Sequence, residues 1–145
     1  MDKLTDNQRR AIGTALGLLD AMLCDFERWA DEGDIRSVLY QRTNRLTKDR
    51  VRLVRERAAE MRSTIVRLRN DLGLEDRHEE VATMIWSRAM GYLETLAELE
   101  SRYLRAYGDV SPPLAKYLDP HVRAMSDCLY RLAEAVQTSG SGSAP

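Results

Sequence analysis

The sequence is short of the residues that cross-link small folds or build aromatic cores. Its 145 residues include two Cys, four Pro, two His and one Phe. Cys24 and Cys128 are far apart and form neither a CxxC pair nor a closely spaced framework, so we expect reduced, buried thiols and no disulfide. With four Pro and eight Gly, the composition favours long helices.

Long apolar runs and a strong net charge are also absent from the sequence. No apolar segment approaches the roughly 20 residues that a membrane-spanning helix needs. The first ten residues, MDKLTDNQRR, are too polar for the core of a signal peptide. We therefore expect a cytoplasmic protein with no membrane partner. The formal net charge of -1 provides no overall field toward a polyanion, so such binding would require a local patch.

Length and composition predict a single folded domain. A chain of 145 residues has the usual size of one domain and can bury a core. We place this domain at residues 1–137. Residues 138–145, TSGSGSAP, contain no apolar residue larger than Ala, so we expect a flexible Gly/Ser tail there.

The first predicted helix has clear start and stop signals. Thr5 and Gln8 stand at the spacing of a capping box, in which each side chain accepts a hydrogen bond from a free backbone N–H. An apolar four-three repeat follows, so we predict a helix over residues 5–32 that ends at a left-handed Gly33. Residues 34–46 contain too few apolar positions for a full helix, and we predict one short helical turn there.

The second and third predicted helices follow one another closely. Thr47 is a predicted N-cap, and an apolar four-three repeat continues for three heptads until Gly73. Because a capping signal recurs at Asp76, little more than Leu74 separates the two helices. So short a link predicts that the two helices are antiparallel neighbours. The third helix is predicted to end at Gly108.

The last predicted helix is interrupted by proline. Pro112 and Pro113 can open a helix, but Pro120 lacks the N–H that an interior position needs. Asp119 and Pro120 are therefore predicted to begin a fresh, kinked main segment. Together the four segments predict an all-α fold, an antiparallel up-down four-helix bundle with a short extra helical turn between helices one and two.

Basic residues concentrate on the second predicted helix. Between Arg42 and Arg69 there are ten basic and three acidic residues, a local excess of +7. Four of them stand seven residues apart and form a ridge on one flank of the apolar stripe: Lys48, Arg55, Arg62 and Arg69. Arg50 and Arg57 lie on the other flank. The candidate partner-binding residues of this helix are Lys48, Arg52, Arg55, Arg62 and Arg69.

Two kinds of partner and one intramolecular role fit this ridge. An acidic protein helix or a phosphate backbone could bind to it. The same Arg side chains could instead pair with acidic residues of neighbouring helices and cover the edge of the core with their methylene stems. No aromatic residue for base stacking follows Tyr40 in this helix, which favours a protein over nucleic acid.

A wide apolar stripe on the third predicted helix supplies a second candidate surface. Tyr side chains combine apolar area with a polar tip, which suits interfaces. Packing at the edge of the core explains each of them singly as well. The candidate partner-binding residues here are Leu93, Tyr103, Leu104 and Tyr107.

Enzyme and metal-site patterns are weak in this sequence. Glu75 and His78 form the only Glu-x-x-His motif, whereas bundle carboxylate metal sites use one on each of two helices. No Gly-rich phosphate loop or dinucleotide fingerprint occurs, and no Ser has an evident base. We predict no catalytic residue, no metal site and no cofactor.

These patterns together suggest a binding function. We expect a non-enzymatic helical-bundle interaction module, an adaptor or assembly component that binds a protein partner or a second copy of itself through helix faces. The alternative is a nucleic-acid-binding protein that uses the Arg-rich second helix. Its affinity would have to fall steeply with salt, because each neutralised phosphate releases a counterion.

Overall fold

Five α-helices and one small β-hairpin make up the described part of the chain. The computed structural model describes residues 3–141, with side chains through residue 137. The elements are α1 (Asp6–Asp31), β1 (Ile35–Arg36), β2 (Gln41–Arg42), α2 (Lys48–Leu72), α3 (Val81–Ala97), α4 (Ser101–Leu104), a 3-10 turn (Arg105–Tyr107) and α5 (Pro112–Ser141). The predicted all-α class is confirmed.

The chain divides into two compact units, Met1–His78 and Glu79–Pro145. One domain at residues 1–137 stays a prediction. Of the predicted tail, the backbone of residues 138–141 belongs to α5, and residues 142–145 lie outside the described residues.

In the first unit α1 packs against α2. The predicted capping box is confirmed, because the Thr5 hydroxyl accepts from the Gln8 N–H while the Gln8 side chain accepts from the Thr5 N–H. Gly73 ends α2 in the left-handed conformation, with φ of 63°. The prediction for Gly33 was wrong: α1 ends at Asp31, the C-cap Glu32 has extended backbone, and Gly33 does not have a positive φ.

Asn44 explains why α1 needs no glycine at its end. Its side-chain amide donates to the carbonyl oxygens of Trp29, Ala30 and Glu32, at 3.1, 3.1 and 2.7 Å. These are carbonyls that a helix C-terminus leaves without intrahelical partners. The Asn44 N–H donates to the Asp34 carboxylate at 2.7 Å, which holds the following chain against the end of α1.

The predicted helical turn at residues 34–46 was wrong, because a β-hairpin lies there. Ile35 pairs with Arg42, and the Ser37 N–H donates to the Tyr40 carbonyl oxygen at 2.7 Å across the turn. The β-branched and aromatic residues of this segment favour extended backbone. With Asn44 fixing the returning chain, a hairpin forms where the apolar spacing alone suggested a helical turn.

The link between α2 and α3 is longer than predicted. Residues 74–80 lie outside any helix, so the expectation that Leu74 nearly joins the two helices was wrong. The Arg9 side chain on α1 donates to the Leu72 carbonyl oxygen at 3.0 Å. Arg77 lies so close to α1 that a Cβ added to Gly17 would stand 2.9 Å from the Arg77 Cβ. Arg77 of this link therefore packs on α1 within the first unit.

In the second unit α3 packs against α5, with Ala89, Val122 and Ala133 buried. The predicted third helix does not continue to Gly108 without a break, because α3 ends at Ala97. A short α4 and the 3-10 turn follow this break.

Asp119 has a different role from the predicted one. Helix α5 continues without interruption across Pro120, so Asp119 does not begin a fresh helical segment. Its carboxylate accepts from the Ser101 N–H at 2.8 Å and from the Ser101 hydroxyl at 2.7 Å. These hydrogen bonds stabilise the charged carboxylate and lower the pKa of Asp119. Asp119 thus caps the start of α4 from a neighbouring helix.

The two thiols are free, but the expectation that they are buried was wrong. Cys24 and Cys128 are both exposed. Cys24 follows the buried Leu23, and one step along a helix turns a side chain by about 100°. The Cys24 side chain therefore leaves the core and lies 3.5 Å from the guanidinium of Arg62.

Candidate interaction surface

One side of the α1–α2 pair is closed by ion pairs, and we call it the paired flank. The Arg62 Nε donates to the Asp20 carboxylate at 3.0 Å, and the same guanidinium also pairs with Glu27. Arg55 pairs with Asp31 further along the two helices. The hydrogen bonds that the Arg62 guanidinium donates to Glu27 and Asp20 raise the pKa of Arg62. These arginines therefore bind within the unit, which is the intramolecular role that the sequence left open.

The opposite side of the same pair is apolar and open, and we call it the apolar groove. Its side chains enclose a cleft of about 220 Å³. Its lining residues are Leu23, Phe26, Leu53, Val54, Arg57, Ala58 and Met61. Leu53 and Met61 keep 48% and 37% of their surface exposed, although both are large apolar residues. Leu23 and Ala58 at the floor are each only 1% exposed.

At the end of α2 nearest the hairpin, the groove continues into a larger cleft of about 410 Å³, which we call the basic mouth. The two clefts share Phe26 and Val54. Trp29 adds apolar surface to the mouth, and Arg42, Arg45 and Arg50 add positive charge. The surface is thus an apolar channel with cations concentrated at one end.

The arginines along this channel differ in whether a carboxylate neutralises them. Arg57 in the groove pairs with Glu60 at 2.8 Å, and its pKa is raised by that hydrogen bond. Arg42 in the mouth pairs with Glu32 at 2.7 Å and lies over the Trp29 ring, 5.7 Å from its centroid.

Arg45 and Arg50 stand apart from these two. Among the described residues neither of them has an ion pair. The groove and the mouth also include no Asp or Glu in their described linings. Two arginines that have no ion pair among the described residues therefore lie at one end of the channel.

The tip of the hairpin presents the most exposed apolar side chains of the first unit. Val38 and Leu39 are 94% and 100% exposed. The backbone beneath them is held by the Ser37–Tyr40 hydrogen bond and the strand pairing. These two apolar side chains therefore lie outside the core of the first unit.

The predicted basic ridge is divided by the structure. Arg55 and Arg62 belong to the paired flank, and Arg52 pairs with Asp49 of its own helix at 3.6 Å. Lys48 and Arg69 have no ion pair among the described residues. A phosphate backbone would have to displace carboxylates from Arg55 and Arg62, and nucleic-acid binding stays a prediction.

The predicted residues of the third segment all lie in the second unit. Tyr107 is 89% exposed on the 3-10 turn, and Tyr103 is about half exposed on α4. The Arg102 guanidinium lies 4.7 Å from the centroid of the Tyr103 ring. Leu93 and Leu104 are half-buried. Their role in partner binding stays a prediction.

Glu75 lines a further cleft of about 370 Å³, between the start of α1 and the link, together with Asp6 and Arg77. His78 does not line it. No group of three or more His, Cys, Asp or Glu side chains in residues 3–137 is arranged to hold a metal ion. No helix of the described chain is long and apolar enough to span a bilayer.

Sequence reasoning missed the mouth, although part of its signal was present. Arg50 and Arg57 were placed on the flank opposite the ridge, and both line the channel. Trp29 and Arg45 both line the mouth because hydrogen bonds from the Asn44 side chain hold the hairpin against the end of α1. An Asn that satisfies three carbonyls across fifteen residues of sequence leaves no local pattern.

Comparison with known proteins adds no family to this geometry. No protein-family model, no curated protein and no solved structure matches the chain. The geometry of the groove and the mouth is therefore the basis for a proposed function.

Proposed function

We propose that this chain is a non-enzymatic protein-interaction module that docks an apolar helix face of a partner, or of a second copy, in the apolar groove. The observation that carries the proposal is the open groove itself, with a floor that is buried and walls that are half exposed. The antiparallel up-down four-helix bundle and the cytoplasmic location are likewise proposals.

Helix docking suits the shape and chemistry of the groove. A channel between two packed helices accepts a third helix, whose residues at i, i+3, i+4 and i+7 contact both walls. A partner that covers the exposed parts of Phe26, Leu53 and Met61 would gain about 1 kcal/mol of binding free energy from each side chain. This follows because full burial of such side chains contributes about 1.5–3 kcal/mol. The paired flank does not offer such an apolar contact, because its arginines and carboxylates form ion pairs with one another.

A charge placed in the groove tests the proposal. Leu53→Asp puts a carboxylate on the groove wall, whereas Val66→Asp makes a comparable change at an exposed position of α2 outside the groove. Native mass spectrometry measures self-association of the full chain, and quantitative affinity purification measures partners. We expect L53D to lose an association that the unchanged chain and V66D retain. If all three proteins associate identically, or not at all, the groove is not the docking surface.

A further inference from the structure

We infer that the channel has a direction: the docked helix is amphipathic and places a carboxylate in the basic mouth, against Arg45 and Arg50. This inference rests on the proposed function, because it assumes that a helix occupies the groove. It adds the chemistry of the partner and the orientation in which the partner lies.

The distribution of charge along the channel supports this direction. Four arginines line the groove and the mouth. Two of them are neutralised within the unit, because Arg57 pairs with Glu60 and Arg42 pairs with Glu32. Arg45 and Arg50 have no such partner among the described residues. Both lie at the mouth, so the channel arginines without an ion pair among the described residues are found only at that end.

The mouth offers an anion more than two isolated surface charges. Trp29, Leu46 and Val54 line it with apolar surface, which reduces the water around a bound carboxylate. Guanidinium groups bind carboxylates through paired N–H donors. An amphipathic partner can thus fill the apolar part of the channel and satisfy the arginines with the same helix.

The length of the channel sets the length of that helix. From Arg50 at the mouth to Met61 in the groove, α2 advances eleven residues, about 16 Å at 1.5 Å per residue. A helix of about three turns spans this distance. The carboxylate therefore belongs in a terminal turn of the partner helix. A helix C-terminus fits best, because its partial negative charge adds to that of the carboxylate.

Synthetic amidated peptides of 16 residues provide the probe. They share one apolar face and differ only in the last turn, which carries two Glu, two Gln or two Lys. A fourth peptide carries the two Glu in its first turn, and a fifth has Gln with a free C-terminal carboxylate. Fluorescence anisotropy with the full chain measures the affinity of each, at low and at physiological salt.

We expect the last-turn Glu peptide to bind about tenfold more tightly than the Lys peptide, with Gln between them, since each exposed charge pair contributes modestly. The double variant R45E/R50E should reverse this order. The control R10E/R67E makes the same change in net charge at exposed positions outside the groove and the mouth and should preserve the order. Tighter binding of the free-carboxylate peptide than of its amidated match would identify a chain terminus as a source of the anion.

The outcomes separate this inference from the proposed function. Equal affinities for the Glu, Gln and Lys peptides, all abolished by L53D, would overturn the direction and leave the groove as the docking site. Preference for the first-turn Glu peptide would overturn the C-terminal orientation. Binding that L53D does not affect would contradict the groove itself. Failure of every peptide to bind would overturn the inferred partner chemistry.

Discussion

The two sides of the α1–α2 pair use the same helices in opposite ways. On the paired flank, Arg55 and Arg62 of α2 meet carboxylates of α1. On the other side, Arg50 and Arg57 of α2 lie beside apolar residues of α1. One helix therefore carries arginines on both flanks, but only those of the paired flank are neutralised by carboxylates of the neighbouring helix.

The difference originates in the spacing of residues on α1. Asp20, Glu27 and Asp31 recur at steps of seven and four, so they share one flank of the helix. Met22, Phe26 and Trp29 recur at steps of four and three on the other flank, and all three are exposed. A charged flank that is neutralised locally stabilises the unit, whereas an exposed apolar flank remains available for binding.

The largest expected effect comes from removing the residue that separates the two flanks. Leu23 is 1% exposed and forms the floor of the groove with Ala58, so Leu23→Ala should destabilise the chain by about 3 kcal/mol through lost burial and a residual cavity. Urea unfolding followed by circular dichroism measures this. Leu18→Ala is the control, because Leu18 is half exposed on the same helix and should lose less than about 1 kcal/mol. Equal losses would mean that Leu23 is not the core position.

Breaking the paired flank should have the next largest effect. Arg62→Met keeps much of the side-chain volume but leaves Asp20 and Glu27 without their shared cation. We expect a loss of about 1 kcal/mol that shrinks as salt screens the remaining carboxylates. Arg67→Met is the control, since Arg67 is exposed and has no ion pair among the described residues. A salt-independent loss would indicate packing rather than charge.

Much of this contrast was accessible from the sequence. Helices with capping and apolar repeats were predicted within a residue or two for α1 and α2, because those signals are local. The ridge on α2 was recognised together with the possibility that it pairs internally. The α1 carboxylates that decide the matter lie 24 to 42 residues away in the chain, and their pairing depends on tertiary contact.

Two of the failures share one physical cause, because in each a group distant in the sequence supplied a hydrogen bond that the local pattern does not contain. Gly33 was assigned the end of α1, but the Asn44 amide satisfies the terminal carbonyls. Asp119 was assigned the start of a helix segment, but its carboxylate caps Ser101 of another helix. Capping interactions between elements have no fixed spacing, so single-sequence patterns do not reveal them.

In the second unit, the hydrogen bonds of the Asp119 carboxylate should make stability depend on pH. This dependence can be compared with the salt dependence expected for the arginine ion pairs of the first unit. Its pKa is lowered in the folded state by the Ser101 hydrogen bonds, so its contribution to stability is present above the unfolded pKa of about 4. The contribution disappears as pH falls through the lowered folded value. Asp119→Asn should therefore unfold more easily than the unchanged chain at pH 7, and this difference should shrink as pH falls below about 4. A constant difference across this range would contradict the assignment.

Two glycines on α1 allow a smaller and sharper test of the link. A Cβ at Gly13 would contact nothing within 4 Å, so Gly13→Ala should stabilise the helix by about 0.5–1 kcal/mol. At Gly17 the added Cβ would stand 2.9 Å from the Arg77 Cβ, and the link must shift. We expect Gly17→Ala to increase the free energy of unfolding by less than Gly13→Ala does. Gly17→Ala should also increase amide hydrogen exchange in residues 74–80. Equal gains at both sites would mean that the link does not pack on α1.

The smallest expected effect on stability lies in the apolar groove. Leu53 is about half exposed, so Leu53→Gln should change the free energy of unfolding by no more than about 0.5 kcal/mol if nothing covers the groove. Urea unfolding at two protein concentrations tests this directly. A loss above about 1.5 kcal/mol that grows with protein concentration would show that a second copy buries Leu53 in solution, because stability gained through association follows mass action. A small, concentration-independent change would leave the groove open in the isolated chain and direct the search for its occupant to a different protein.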